Sequence, residues 1–141
     1  MEEQENKKTI VQSLIGASQL PFYLSCLKSL ITFCQDRIDL QLHTDGTLSQ
    51  REKDSIYSEL NGTIVSITEF SENSSRVLDY LKGRPNCQKF RKDSIWGIEF
   101  FDPIYAFPED PISFYLDADI LFLRPFTGLF NWHQVKRGAV S

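Results

Sequence analysis

Asp117 and Asp119 stand two residues apart inside a largely apolar run from Pro111 to Phe126. A short apolar run bounded by Pro and charge predicts a strand that is buried on both faces. Residues two apart on a regular strand point to the same side, so both carboxylates could face one cation. The small Ala118 between them would leave space for a ligand. Mg²⁺ and Mn²⁺ prefer such oxygen ligands and often share them with a substrate's phosphates.

The elements that must position this pair alternate along the chain. Apolar and β-branched segments predict strands at Thr9 to Ile15, Ile38 to Leu42, Thr63 to Ile67 and Ile112 to Leu116. Helical spacing predicts helices from Pro21, after a Ser49–Glu52 capping box, at Ser74 to Leu81 and at Pro85 to Phe101. This order indicates an α/β fold with a Rossmann-like, mostly parallel sheet and helices on both faces. We expect the first and last of these strands to lie inside the sheet.

Two predicted strand ends carry polar or small residues. Gly16 to Gln19 follow the first strand, and small residues there let a ligand approach the backbone closely. His43 and Asp45 lie at the end of the second strand, which turn residues close, and could suggest a site; we expect a solvated strand end there instead. Because ligands of parallel sheets bind at the carboxyl ends of strands, the first loop and the aspartate pair are expected on one edge.

The segment Phe-Tyr-Leu-Asp-Ala-Asp-Ile-Leu-Phe resembles the DxD segment of nucleotide-sugar glycosyltransferases of the GT-A fold, in the style of glycogenin and the galactosyltransferases. The resemblance implies a metal-dependent transferase in which Asp117 and Asp119 hold Mn or Mg against the diphosphate of a sugar donor, with UDP-sugars favoured. It also implies that Gly16, Ala17, Ser18 and Ala118 contact that donor.

A basic residue on the helix before the DxD strand reaches the donor in this family, and Lys89 is our choice for that role. A solvated basic face is the simpler interpretation of Lys89 and its neighbours. The resemblance spans residues 1–141 but covers only the donor-binding half of the family, so we expect the acceptor half to be missing. No residue is a convincing general base or nucleophile, and the acceptor is unknown.

Composition excludes some classes of partner. The chain has 141 residues, is 41% hydrophobic and 13% aromatic, and carries a net charge of −4, which indicates a globular domain without a nucleic-acid surface. Three cysteines without metal-ligand spacing favour buried, reduced thiols. The acidic start, Met1 to Lys8, is unlike a signal peptide, and no run reaches the roughly 18 apolar residues of a membrane span. We therefore expect a cytoplasmic protein.

Two alternatives to a transferase stay open. A phosphohydrolase of the HAD type also carries DxD, but at the end of its first strand and commonly followed by Thr or Val, where this chain has Ile120. A non-catalytic fragment with a structural aspartate pair is the second alternative.

The end of the sequence predicts incomplete packing. The cluster Phe126, Leu129, Phe130 and Trp132 precedes an unfinished strand, so we expect exposed apolar surface. For this chain by itself we predict self-association and no transfer, because half a site cannot position an acceptor.

Overall fold

A computed structural model describes residues 9–105 and 113–130 of the chain. The strands are β1 (Thr9–Ile15), β2 (Ile38–Thr44), β3 (Ile64–Thr68) and β4 (Ser113–Tyr115). The helices are α1 (Leu20–Phe33), α2 (Gln50–Glu59), α3 (Phe70–Tyr80), α4 (Pro85–Asp93) and α5 (Ile95–Tyr105). Across these two ranges, no helix is long and apolar enough to cross a membrane. The capping box predicted at Ser49 and Glu52 begins α2.

The strands form one parallel sheet in the order β3-β2-β1-β4. β1 pairs with β2 along its whole length, from Thr9 opposite Ile38 to Ile15 opposite Thr44. β3 adds to the far side of β2, and β4 adds to β1 over three residues. The predicted α/β fold with a parallel sheet is confirmed, and β1 lies inside the sheet as expected.

The two faces of the sheet carry different side chains. One face is apolar: Val11, Leu40 and Leu42 pack beneath α1 and α2 in a single buried cluster. The opposite face is polar: Gln12 and His43 are buried there and hydrogen-bond to residues of α5 and α3. The prediction of a solvated strand end at His43 is wrong, because helix α3 covers that side chain.

The strand predicted from Pro111 to Phe126 is much shorter in the structure. β4 ends at Tyr115, and the described chain continues to residue 130 without helix or strand apart from one bridge. Leu121 and Leu123 are exposed, so a strand buried on both faces is not formed there. Within the described sheet, β4 is also an edge strand paired with β1 alone, and the expectation of an interior position is wrong there.

The chain leaves the sheet after β4 because it docks along the last turns of α1. The backbone N–H of Phe122 donates to Ser29 Oγ at 2.9 Å, and the rings of Phe122 and Phe126 stack with centroids 4.6 Å apart. Phe130 then returns under the sheet and is buried. The predicted exposed cluster is therefore reduced to Leu129, and its remaining member, residue 132, lies outside the described residues.

The single helix predicted from Pro85 to Phe101 is two helices in the structure. They meet at Gly97, where an added Cβ would lie 2.3 Å from the carbonyl oxygen of Phe90. This close approach lets α5 cross α4. α5 also contains Pro103 and runs to Tyr105, beyond the predicted end at Phe101.

Candidate functional site

An open cleft of about 380 Å³ lies at the carboxyl ends of β1, β2 and β4, beside the first turns of α1 and α5. Ligands of open α/β sheets bind at this edge. The cleft is lined by Leu14, Ile15, Gly16, Ser18, Gln19, Tyr23, Asp45, Ile95, Trp96, Glu99, Tyr115, Asp117, Ala118 and Asp119. The structure thus places most of the sequence-predicted residues, from two distant segments, around one space.

Asp117 and Asp119 lie in the turn that directly follows β4, not within a strand. Both side chains are exposed and line the cleft, while Ala118 between them is buried against the apolar core. Two contacts to β1 fix the start of this turn. Leu116 donates its N–H to the carbonyl of Gln12 at 2.8 Å, and Ser13 Oγ donates to the carbonyl of Leu116 at 2.5 Å. The two aspartates line the same cleft because of this turn. The prediction that side-chain alternation along a strand would bring them together is wrong.

Glu99 faces the aspartates from α5. Its carboxyl group lies close to Asp117 and to the Tyr115 hydroxyl, which both line the same cleft. Burial raises the pKa of Glu99, and the contact with Asp117 raises it further. Burial also raises the pKa of Tyr115, as do the charges of Glu99 and Asp117. Neighbouring carboxylates repel each other, so a cation between them would be stabilising.

The cleft is acidic on all sides. Its charged lining is Asp45, Glu99, Asp117 and Asp119, and none of the described lining residues is Lys, Arg or His. In the part of the chain that the structure describes, no three His, Cys, Asp or Glu side chains converge closely enough to hold a metal ion by themselves. A divalent ion in the cleft would therefore take one or two carboxylates and complete its shell with oxygens of a ligand or water, as Mg²⁺ commonly does.

The loop after β1 is held by hydrogen bonds to the residues that follow β2. The backbone N–H of Ala17 donates to Thr47 Oγ1 at 2.8 Å, and Thr47 Oγ1 donates to Asp45 Oδ1 at 2.5 Å. An added Cβ at Gly16 would lie 2.2 Å from Asp45 Oδ2, so a side chain there would displace the Asp45 carboxylate. The space beside Gly16 is filled by Asp45, whereas the small-residue argument assigned it to a ligand. Gly16 and Ser18 line the cleft, and Ala17 does not.

Lys89 lies away from this cleft. It is exposed on α4 and lines a different depression, together with Phe70 and Ser74 of α3. The geometry therefore brings together the predicted loop and the aspartate pair but leaves Lys89 apart from both.

Sequence reasoning missed Glu99 and dismissed Asp45. Glu99 stands in the apolar segment that became α5, next to Trp96, and an acid in such a helix is a signal that went unused. Asp45 precedes a glycine at the end of a strand, which is also the pattern of an ordinary turn. Only the parallel pairing of β1 with β2 places Asp45 against Gly16.

Comparison with known proteins identifies the fold. No protein-family model matches the sequence, and none of the curated proteins matches it. Among solved structures, the chain is similar to the X-ray structure of the mannosyltransferase Ktr4p from S. cerevisiae, with a TM-score of 0.52 and 14% sequence identity. The similarity covers 92% of this chain and 36% of the mannosyltransferase chain. The chain thus shares an α/β fold with that protein and spans about a third of its length.

Proposed function

We propose that the chain is the donor-binding part of a metal-dependent glycosyltransferase that uses a nucleoside-diphosphate sugar. The observation that carries this proposal is the acidic cleft, in which Asp117 and Asp119 face Gly16 and Ser18 at the carboxyl edge of a parallel sheet. The fold shared with a mannosyltransferase supports the same reaction class. The proposed donor contacts are Gly16, Ser18, Asp117, Ala118 and Asp119, with Glu99 added to them.

The charge of the cleft explains why the proposal includes a metal. The carboxylates of Asp45, Glu99, Asp117 and Asp119 would repel a diphosphate unless a cation lay between the phosphates and the acids. These ligands are all carboxylates, which suits Mn²⁺ or Mg²⁺ rather than a soft metal. When bound, such an ion supplies Lewis-acid stabilisation of the charge that develops on the departing nucleoside diphosphate.

The alternatives differ in what the cleft would bind. A HAD-type phosphohydrolase uses the first aspartate as a nucleophile on a phosphate, but here Glu99 shares the cleft with Asp117, and the aspartate pair follows an edge strand of the described sheet. A purely structural aspartate pair would bind neither metal nor nucleotide. The exposure of Asp117 and Asp119 argues against that role, because structural carboxylates are usually buried in hydrogen bonds.

Calorimetric titration tests the proposal. We expect Mn²⁺ to bind in the presence of UDP, and Asp119→Ala to weaken that binding by about tenfold or more, as loss of a metal ligand or its partner does. Asp79→Ala, which removes an exposed acid of α3 outside the cleft, is the matched control and should bind as the wild type does. Equal binding by wild type and Asp119→Ala would remove Asp119 from the site.

A donor panel then separates the activities. The protein is incubated with Mn²⁺ and with UDP- and GDP-linked sugars, mannose included, and release of the nucleoside diphosphate is measured. Release of inorganic phosphate from simple phosphate esters would instead favour the phosphohydrolase. No metal-dependent nucleotide binding at all would leave the structural interpretation.

A further inference from the structure

Gln12 is a buried amide at the centre of the polar face. Its Nε2 donates to the carbonyl oxygen of Pro103 on α5 at 3.0 Å and to Ser113 Oγ on β4 at 2.7 Å. Its Oε1 lies 2.6 Å from Nε2 of His43 on β2. One side chain of β1 therefore contacts three other elements. Of these, α5 carries Glu99, β4 leads to Asp117 and Asp119, and β2 leads to Asp45.

The carbonyl of Pro103 fixes the direction of every bond in this network. A carbonyl oxygen only accepts, so the amide nitrogen of Gln12 must face Pro103, and its oxygen must face His43. His43 Nε2 therefore carries the hydrogen, and Nδ1 accepts from Asn73 Nδ2 at 2.7 Å. Burial lowers the pKa of His43 to about 4, in agreement with a neutral ring.

The network continues back to α5. Asn73 of α3 hydrogen-bonds to Asp102, which is neighbour to Pro103 on α5. Asp102 in turn accepts from Arg91 Nε at 3.1 Å and from Arg91 Nη2 at 2.9 Å. Two adjacent residues of α5, Asp102 and Pro103, thus contact buried polar side chains of the neighbouring elements.

We propose that Gln12 is a positioning residue that holds α5 and β4, and with them Glu99 and Asp117, in fixed relation across the cleft. Pro103 lies one helical turn after Glu99, and Ser113 lies four residues before Asp117 in the strand that leads to it. The backbone of Gln12 also accepts from Leu116, the residue before Asp117. The proposal rests on the proposed function only for what the cleft binds; the positioning itself follows from these contacts.

The test measures distances directly. Spin labels are introduced through an unnatural amino acid, which leaves the native cysteines unchanged, at the exposed positions Ser55 of α2, Ile104 of α5 and Leu121 after β4. Pulsed electron resonance then gives the distance distributions from Ser55 to each of the other two labels. In Gln12→Met, which keeps the side-chain length but removes the amide, we expect both distributions to widen.

The matched control is Gln41→Met. Gln41 is the register partner of Gln12 on β2 and bonds to Thr68 of β3, away from α5 and β4. It should leave both distributions unchanged. Ser113→Ala removes only the bond from Gln12 to β4, so it should widen the Ser55-to-Leu121 distribution alone. If Gln12→Met does not fold, Ser113→Ala decides the question.

Binding supplies the second readout. Gln12→Met should weaken Mn²⁺-dependent UDP binding by about tenfold, in the range seen when outer-shell partners of a metal site are removed, and Gln41→Met should not. Unchanged distributions in a folded Gln12→Met, or in Ser113→Ala if Gln12→Met is unfolded, would overturn the proposal. If the wild type binds no Mn²⁺ and UDP while the distributions widen as expected, the proposed function fails and the positioning role stands.

Discussion

The face of the sheet beneath α1 and α2 and the face beneath α3 and α5 hold the protein together by different means. The first is a continuous apolar cluster that includes Val11, Leu40 and Leu30. On the second face, a chain of polar contacts that includes Gln12 and His43 lies between the sheet and the helices. A small apolar cluster forms among those helices themselves. Apolar burial is not directional, whereas hydrogen bonds fix orientation.

This difference matches what each face has to position. The apolar face supports α1, whose contribution to the cleft is mainly Tyr23. The polar face supports α5, which brings Glu99 against Asp117. The polar face thus costs stability, because each buried polar group must keep its partner, and it gives the cleft a defined geometry. The predictions below test this division, from the largest expected effect to the smallest.

Breaking the ion pair of the polar face should have the largest effect. Arg91 and Asp102 are both buried, and Arg91 also lies 4.5 Å above the ring of Phe70. Arg91→Met should lower the free energy of unfolding by about 4 kcal/mol, because it leaves an uncompensated buried carboxylate. Urea denaturation measures the loss. The double variant with Asp102→Leu should recover most of it, and equal losses in the two variants would contradict the assignment.

Truncating the apolar face should cost slightly less. Leu40 is 1% exposed, and Leu40→Ala should lower the free energy of unfolding by about 3.5 kcal/mol through lost burial and a cavity. Ile64→Ala, at an exposed position of the neighbouring strand β3, is the control and should change it by less than about 0.5 kcal/mol. This loss should be the same at pH 7 and pH 5. A strong pH dependence would contradict the view that the apolar face is stabilised without titratable groups.

Acid should weaken the polar face selectively. Burial lowers the pKa of His43 to about 4 in the folded protein, against an ordinary value of 6.5 for an exposed histidine, so the unfolded chain takes up the proton first as pH falls. His43 therefore contributes its full stability above pH 6.5 and loses about 3 kcal/mol as pH falls to 4. Comparing urea denaturation of wild type and His43→Gln over this range isolates the effect. Parallel pH curves for the two proteins would show that His43 does not titrate as described.

The smallest effect is expected from the cap of α2, on the apolar side. Ser49 Oγ accepts a hydrogen bond from the backbone N–H of Glu52 at 3.2 Å, and Glu52 Oε2 accepts one from the backbone N–H of Ser49 at 2.7 Å. Ser49→Ala should lower the free energy of unfolding by about 1 kcal/mol. The Mn²⁺ and UDP titration should be unaffected, since α2 contributes nothing to the cleft. A change in that titration would mean that the two sides of the sheet are coupled.

Local sequence patterns predicted the elements that depend on local interactions. The run Thr9 to Ile15 is rich in β-branched and apolar residues and forms an interior strand of the sheet. Ser49 and Glu52 form a capping box that begins α2. The Asp117–Ala118–Asp119 motif was found because its residue types suffice to suggest cation chemistry. Its setting was predicted wrongly, because apolar character by itself does not distinguish a buried strand from a segment packed along a helix, as at Phe122.

The sequence by itself determined the parallel α/β class, the order of the elements and the two segments, around Gly16 and around Asp117, that line the cleft. The tertiary structure decided which other groups join them. Glu99 reaches Asp117 only because α5 crosses α4 at Gly97, and Asp45 fills the space beside Gly16 only because β1 and β2 pair in parallel. It also decided that Lys89 lies elsewhere and that His43 is neutral. These outcomes depend on contacts between residues far apart in sequence, to which local periodicity and turn chemistry are insensitive.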